Sequence, residues 1–545
     1  MAAEYIKSGA ADVTVVVCDA ACLERNLILA LQIMNASDSV ILCLNIIDEA
    51  KKKGVDIDVF RLSELLCVPV VACSAGYGRG LEALMNEAAR RASGGGFVPP
   101  LKVPVSPGAS FEEEAAAYVN AAERIARECV KRGADTSRDR RADRMLASRV
   151  PGYPIMALFL ILILWITITG ANVPSELLSS LFSALGEHLH ALSRAAALPE
   201  MLSGALIDGV YRVLTWVVAV MLPPMAIFFP LFALLEDLGY LPRIAFCLDS
   251  VFRRACACGK QSLTMCMGFG CNAVGVSGCR IIDSERERLI AMITNSFVPC
   301  NGRFPSLIAI ITMFFAGSAV TGGTLVPALI LAGVILLGVL LTLLVSRLLS
   351  VTCLRGVPSS FILELPPYRM PRVGRVIMES LKDRIIFVLG RAASVAAPAG
   401  LVIWLLANVC VGDKSLFLHC AAFLDPFARL CGLDGVILIA FILGFPANEI
   451  VFPLIVMGYM ASGSVCAIES LSGVRELLLA NGWSVSTAIC TLLFTLVHWP
   501  CSTTLLTIKK ESGSPGWTAL SMLVPAACGF VLCFAAANIM RLFGL

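Results

Sequence analysis

The chain has 545 residues, 58% hydrophobic and 15% charged, with a mean hydropathy of +0.82. Soluble domains carry about a quarter charged residues, so the composition excludes an ordinary soluble protein and predicts one that lives in a lipid bilayer. The formal net charge of +3 argues against a nucleic-acid partner, and the 22 cysteines, mostly in apolar or cytoplasmic-looking segments, predict free thiols over a disulfide framework.

Met1 is followed by polar sequence with no visible signal peptide. From Asp12 to Ala92 short β-branched runs alternate with helical patterns: strands at 12–17, 39–46 and 69–75, helices at Leu23–Met34, Asp58–Leu66 and Gly80–Ala92. That alternation predicts an α/β layer with a parallel sheet. Two strand ends are polar, Asn45-Ile46-Ile47-Asp48 and Cys73-Ser74-Ala75. Each alone reads equally as a polar turn. As an ordered pair they resemble the guanine-reading N-K-x-D and S-A elements of GTPases, with Ile46 in place of the usual Lys, and that resemblance gives Asn45, Asp48, Ser74 and Ala75 as base-contacting residues. No G-x-x-x-x-G-K-[ST] occurs in the chain, and phosphate and Mg²⁺ binding need that loop. The expectation is a partial G domain over 1–92 that does not hydrolyse GTP by itself, with GTP or GDP binding left open, as are truncation, a split gene or loss of activity.

The Gly/Pro stretch 93–100 reads as a linker. Residues 110–132 read as a helix with Ser110 as cap and an acidic first turn, and the basic run 137–145 reads as a cytoplasmic anchor before the first span. These make up a second segment, 93–148. The remainder divides into membrane units at 149–350 and 351–545.

Apolar stretches long enough to span lie near 153–171, 213–235, 289–316, 324–347, 385–408, 486–508 and 516–541. Two others, near 262–279 and 436–460, are interrupted by polar residues, Gly or Pro and predict segments that enter without crossing. At an offset of 176 residues Leu248-Asp249 falls on Leu424-Asp425, Arg253 on Arg429, Gly259 on Gly435, and Gly268-Phe269-Gly270-Cys271-Asn272 on Gly444-Phe445-Pro446-Ala447-Asn448. Pro299-Cys300 has a counterpart in Pro500-Cys501. Two related units with matched Gly/Pro interruptions predict a transporter whose site lies where broken helices meet. If 153–171 runs outward and the second unit is inverted, every basic loop falls inside, as the positive-inside rule asks, and the C-terminus lies outside.

The breaks offer Cys271, Asn272, Cys300, Asn301 and Arg303 in one unit and Asn448, Glu449, His498, Cys501, Ser502 and Thr503 in the other. Thiol, imidazole and carboxylate suit Fe²⁺, Zn²⁺, Mn²⁺ or Co²⁺ better than an alkali ion, and a carboxylate in the membrane is a functional hypothesis by default. A lone membrane cysteine is more often a packing residue; Cys300 and Cys501 depart from that rule because both follow Pro in repeat-related breaks. The bland alternatives are a helix-end carboxylate for Glu449 and an interfacial anchor for the His498-Trp499 pair. Glu187, His188 and His190, in the loop expected after the first span, read as a solvated helix face, and Cys256-Ala257-Cys258 reads as incidental.

Taken together, "CDAACLERNLILALQ" (18–32), "LNIIDEAKKKG" (44–54), "LLEDLGYLPRIAF" (234–246), "MGFGCN" (267–272), "ELPPYRMP" (364–371), "GLDGVILIAFILGFPANEI" (432–450) and "WPCSTTLLTIKKESGS" (499–514) resemble the ferrous-iron transport protein B family. The resemblance implies a polytopic α-helical protein with two Gate units, preceded by a partial α/β GTPase-like domain and a helical domain at about 101–135 resembling a nucleotide-dissociation inhibitor. It implies an inner-membrane importer of ferrous iron, Fe(II), with its N-terminal domain cytoplasmic and Cys271, Cys300 and Cys501 handling the metal beside Glu449, with His498 nearby. Partners implied are a small cytoplasmic accessory protein or a separate G-domain fragment, and a homo-oligomer for which Gly322-Gly323 and Gly333 are candidate contacts. This chain has Asn301-Gly302 where the family leads one to expect Ser-Ala. Competing readings are a carrier of Mn²⁺, Zn²⁺ or a nucleoside-like solute, against which the thiols and the few aromatics at the breaks argue, and a membrane GTPase-like scaffold, against which the missing phosphate loop argues.

Overall fold

The computed structural model describes residues 6, 11–52, 54–94, 99–104, 111–132, 145–146, 148–315, 325–356, 373–461, 463 and 471–543. Ser110, the middle of the 93–100 stretch, residues 137–144 of the basic run, Gly322-Gly323 and residues 364–371 lie outside the described residues. The chain divides into two compact units, Met1–Arg141 and Ala142–Leu545.

In the first unit β1 (Thr14–Asp19), β2 (Val40–Asn45) and β4 (Val70–Ala72) form a parallel sheet in the order β1-β2-β4. Helices α1 (Leu23–Ala36), α2 (Ile47–Lys52), α3 (Val59–Leu66) and α4 (Leu81–Ala92) connect and follow the strands, and Asp58 caps α3 by accepting from the Arg61 N–H at 2.9 Å. The helix α5 (Phe111–Cys129) shares their core: its Tyr118, Ala122 and Ile125 pack with Leu27, Leu31 and Leu44. A short antiparallel pair, β3 (Val55–Ile57) with β5 (Val130–Arg132), ties the end of that helix to the sheet layer. Three residues per strand give no alternation that a sequence reading can register.

In the second unit, among the described residues, six helices are long and apolar enough to cross a membrane, and a seventh crossing arises if one bent pair counts. The expected span at 153–171 is the first part of α6 (Arg149–Ala195), which continues through Pro174. This corrects the loop expected after residue 171. Leu177, Leu181 and Leu185 recur every four residues and sustain a helical face, so Glu187, His188 and His190 stand on that helix. The chain continues through α7 (Arg212–Asp237), α8 (Tyr240–Arg254), α9 (Lys260–Gly270), α10 (Asn272–Gly278) and α11 (Glu285–Thr294). Then follow α12 (Phe304–Phe315), α13 (Leu325–Val351), α14 (Ile386–Asn408), α15 (Leu416–Leu430), α16 (Gly435–Leu443), α17 (Val451–Met460), α18 (Val485–Val497), α19 (Ser502–Ser512) and α20 (Pro515–Leu542). The stretch expected as a span at 289–316 is α11 and α12 with non-helical residues between them, because Pro299 has no N–H to continue the helix.

The residues matched at an offset of 176 do the same structural work in both repeats of the second unit. Asp249 Oδ1 accepts from the Gly259 N–H at 3.0 Å and Oδ2 from Arg253 at 2.8 Å; Asp425 Oδ1 accepts from the Gly435 N–H at 3.1 Å and Oδ2 from Arg429 at 2.5 Å. A Cβ on Gly259 would sit 2.5 Å from the Ala245 carbonyl, and one on Gly435 1.9 Å from that of Ala421. Each aspartate thus clamps a corner, α8 to α9 and α15 to α16, where only glycine lets the backbones approach; the second corner bends by 109°.

Candidate functional site

Four of the helix breaks among the described residues of the second unit face one another through hydrogen bonds or carry the candidate residues: Gly270–Asn272, Val298–Arg303, Gly444–Asn448 and His498–Cys501. They are stitched together by main-chain bonds. The Asn301 N–H donates to the Gly270 carbonyl at 3.4 Å, the Ser502 N–H to Phe445 at 2.8 Å, and the Ser502 hydroxyl to Pro446 at 3.1 Å.

Cys300 stands in the Pro299 break, buried, and receives the Asn448 amide N–H at 3.7 Å. The Asn448 oxygen faces His498 Nε2 at 3.2 Å. His498 Nδ1 lies 3.1 Å and 3.0 Å from the carbonyls of Phe494 and Thr495, so it carries a proton and caps the end of α18. Both ring nitrogens of His498 therefore face oxygen acceptors, so the ring donates through both only as the imidazolium, and it reaches Cys300 through Asn448. Cys271 occupies the cap position of α10 and Cys501 that of α19, with the Thr504 hydroxyl 3.2 Å from the Cys501 sulfur. Glu449 lies against the other break: a Cβ added at Gly302 would come within 2.3 Å of Glu449 Oε1. The main-chain bond of Asn301 to Gly270 sets the Cys300 break beside that of Cys271, and the bonds of Ser502 to Phe445 and Pro446 set Cys501 beside the break that carries Asn448 and Glu449.

The structure thus gathers Cys271, Cys300, Glu449 and Cys501 around facing breaks, with His498 one residue removed. Among the described residues, no three His, Cys, Asp or Glu side chains meet at metal-ligand spacing. The arrangement is a string of soft and hard donors suited to passing a cation from one ligand to the next. Asn448 is the member the sequence reading left unassigned; its match to Asn272 in the repeat was the signal available. Arg303 sits beneath the cysteines, with Nη1 donating to the carbonyls of Ser296 and Leu496, each at 2.7 Å, and Nη2 to those of His498 at 3.1 Å and Trp499 at 3.4 Å.

Elsewhere, a cavity of about 510 Å³ opens between the later turns of α6 and the segment leading into α7, lined by Glu176, Glu187, His190, Asp208 and Tyr211 among others. His190 Nε2 lies 3.3 Å from Asp208. Cys256 adopts a left-handed backbone and Cys258 is buried; no disulfide joins any two of the described cysteines.

In the first unit, Asn45, Asp48, Ser74 and Ala75 come together at the ends of β2 and β4. The Asn45 side chain accepts from the Ile46 and Ala75 N–H groups at 2.9 and 3.0 Å, and Asp48 accepts from the Ser74 hydroxyl at 2.5 Å. Ile46 has a φ of 62°, which a β-branched residue adopts only under strain. Burial pushes the neighbouring Cys18 and Cys43 thiols up to about 12, so both stay protonated beside this pocket.

Three family models match the chain. One described as "Ferrous iron transport protein B" matches residues 1–88, one described as "Ferrous iron transport protein B C terminus" matches 331–382, and one described as "Nucleoside recognition" matches twice, at 218–316 and 389–515. The two matches of the last model fall on the two repeat units. The Fe(2+) transporter FeoB of Campylobacter jejuni is 25% identical over 97% of this chain and 86% of its own length. That of Synechocystis is 28% identical over 97% of this chain and 84% of its own. A Fe(2+) transport protein A/Fe(2+) transporter FeoB fusion protein of Porphyromonas gingivalis is 24% identical over 98% of this chain and 76% of its own. Among solved structures, the cytosolic domain of the T. maritima FeoB iron transporter in a GDP form aligns with 24% of this chain and 72% of its own at 23% identity, with a TM-score of 0.22.

Proposed function

The chain belongs to the ferrous iron transport protein B family, and from that premise we propose that it carries Fe²⁺ across the cytoplasmic membrane by handing the ion between Cys271, Cys300, Glu449 and Cys501. The observation that carries this reading is the convergence of those four side chains, from two repeat units, on facing helix breaks. Fe²⁺ is the substrate. Thiolates favour a borderline or soft ion over Mg²⁺, and Glu449 adds a hard donor that lets go of the ion readily. Weak ligation spread over several positions is what conduction needs, since a closed shell would hold the ion instead of passing it. Asn448 orients Cys300, and His498 holds Asn448. In this reading His498 is a support of the site with its ring nitrogens already engaged.

The first unit lies in the cytoplasm in this proposal and reads a guanine base through Asn45, Asp48, Ser74 and Ala75. Their preformed hydrogen bonds support base recognition; hydrolysis would need a phosphate loop from a partner fragment. The fusion protein of Porphyromonas gingivalis, in which a Fe(2+) transport protein A is joined to the transporter, supports a small accessory protein as a further partner.

The test is Fe²⁺ uptake into proteoliposomes under anaerobic conditions. Cys300→Ser and Cys501→Ser are each expected to lower the initial rate at least tenfold, and Glu449→Gln to lower it less, with protein yield unchanged. Uptake by Cys300→Ser/Cys501→Ser at the wild-type rate would refute the assignment of the cysteines.

A further inference from the structure

Arg303 is wholly buried, with 0% of its surface exposed. A charged side chain at membrane depth is expensive and marks a function by default. Its terminal nitrogens donate to four main-chain carbonyls, those of Ser296, Leu496, His498 and Trp499, and its Nε has no partner among the described residues. These carbonyls share an origin. Ser296 closes the helical segment before the Pro299 break, and Leu496, His498 and Trp499 close α18 and enter the Pro500 break. Helix C-termini leave carbonyls without intrahelical donors and carry partial negative charge. In transporters with broken helices, such half-helix ends and unwound carbonyls are where a monovalent cation is coordinated.

We propose that these four carbonyls form a monovalent-cation site built into the fold, and that this chain fills it with its own Arg303. The guanidinium is a tethered cation. It supplies the charge that a free Na⁺ or K⁺ would supply, and it ties the break of the first repeat to that of the second repeat at Leu496, His498 and Trp499. Two consequences follow from the geometry: folding of the paired breaks is independent of the alkali ion present, and removal of the guanidinium opens the cage to small cations from solution. The inference does not rest on which ion the protein transports, because the cage is made only of main-chain oxygens.

The test uses the full-length protein in lipid nanodiscs without iron, with thermal unfolding read in chloride salts of Na⁺, K⁺, millimolar guanidinium or the bulky N-methyl-D-glucamine. The wild type should unfold at the same temperature in all four. Arg303→Ala should unfold several degrees lower in N-methyl-D-glucamine and recover, saturably, as guanidinium or an alkali ion is added. Arg303→Lys should stay near the wild type without cation dependence, and Arg303→Gln should behave like Arg303→Ala. A cation-independent Arg303→Ala would overturn the proposal. So would an Arg303→Gln protein matching the wild type, because hydrogen-bond donors without charge would then suffice. If Arg303→Ala yields no folded protein, the Lys and Gln variants decide: the Lys variant stable and the Gln variant cation-dependent supports the cage, and equal behaviour of the two contradicts it.

Discussion

Cys300 and Gly302 have separate jobs within one break, and substitution distinguishes them. In the proposed site Cys300 presents a sulfur, so Cys300→Ala would remove a ligand and leave the backbone as it is. Gly302 leaves room for Glu449, whose Oε1 would stand 2.3 Å from an added Cβ. Gly302→Ala therefore displaces a carboxylate and should cost about 1–3 kcal/mol, the usual range for overpacking a filled interior. Thermal unfolding should separate the two: Cys300→Ala close to the wild type, Gly302→Ala lower by several degrees. Equal midpoints for all three proteins would mean that Glu449 does not pack against this turn. Asn448→Ala should lower Fe²⁺ affinity about tenfold through misplacement of Cys300, in line with the effect of removing residues that orient metal ligands, and unchanged affinity would deny Asn448 that role.

At the scale of elements, the corners made by Asp249 and Asp425 explain why the repeat is visible at all. A carboxylate that accepts both a glycine N–H and an arginine recurs because each corner needs the same clamp. Asp425→Ala strands the Gly435 N–H and should cost about 1–3 kcal/mol. Arg429→Ala, whose side chain is 74% exposed, should cost well under about 1 kcal/mol. Chemical unfolding of the two variants measures the difference, and equal costs would contradict the clamp. The same elements mark what was legible in the sequence. The repeat and the breaks were readable because Pro, Gly and Asp are forced at corners where few residues fit. The continuation of α6 past Pro174 was not, since a proline within an otherwise helical pattern reads as an end, although neighbouring helices can satisfy the freed carbonyl. The bonds of Asn448 and Arg303 were not legible either, because they join positions about 150 to 200 residues apart along the chain and follow only from the packing of one repeat on the other.

For the whole molecule, the proposed function makes nucleotide recognition and metal passage separable. The Asn45, Asp48, Ser74 and Ala75 pocket predicts that the full-length protein binds a fluorescent guanine nucleotide in preference to its adenine analogue, and that Asn45→Ala/Asp48→Ala abolishes the preference while leaving Fe²⁺ binding unchanged. Equal binding of the two nucleotides by the wild type would remove the pocket from the account. The central claim concerns the metal: sulfur from paired helix breaks touches Fe²⁺. X-ray absorption at the iron edge, on anaerobic full-length protein loaded with Fe²⁺ in excess Mg²⁺, tests it most directly. The account predicts a sulfur shell in the wild type that is lost in Cys300→Ser/Cys501→Ser, and a shell of oxygen and nitrogen alone in the wild type would contradict it.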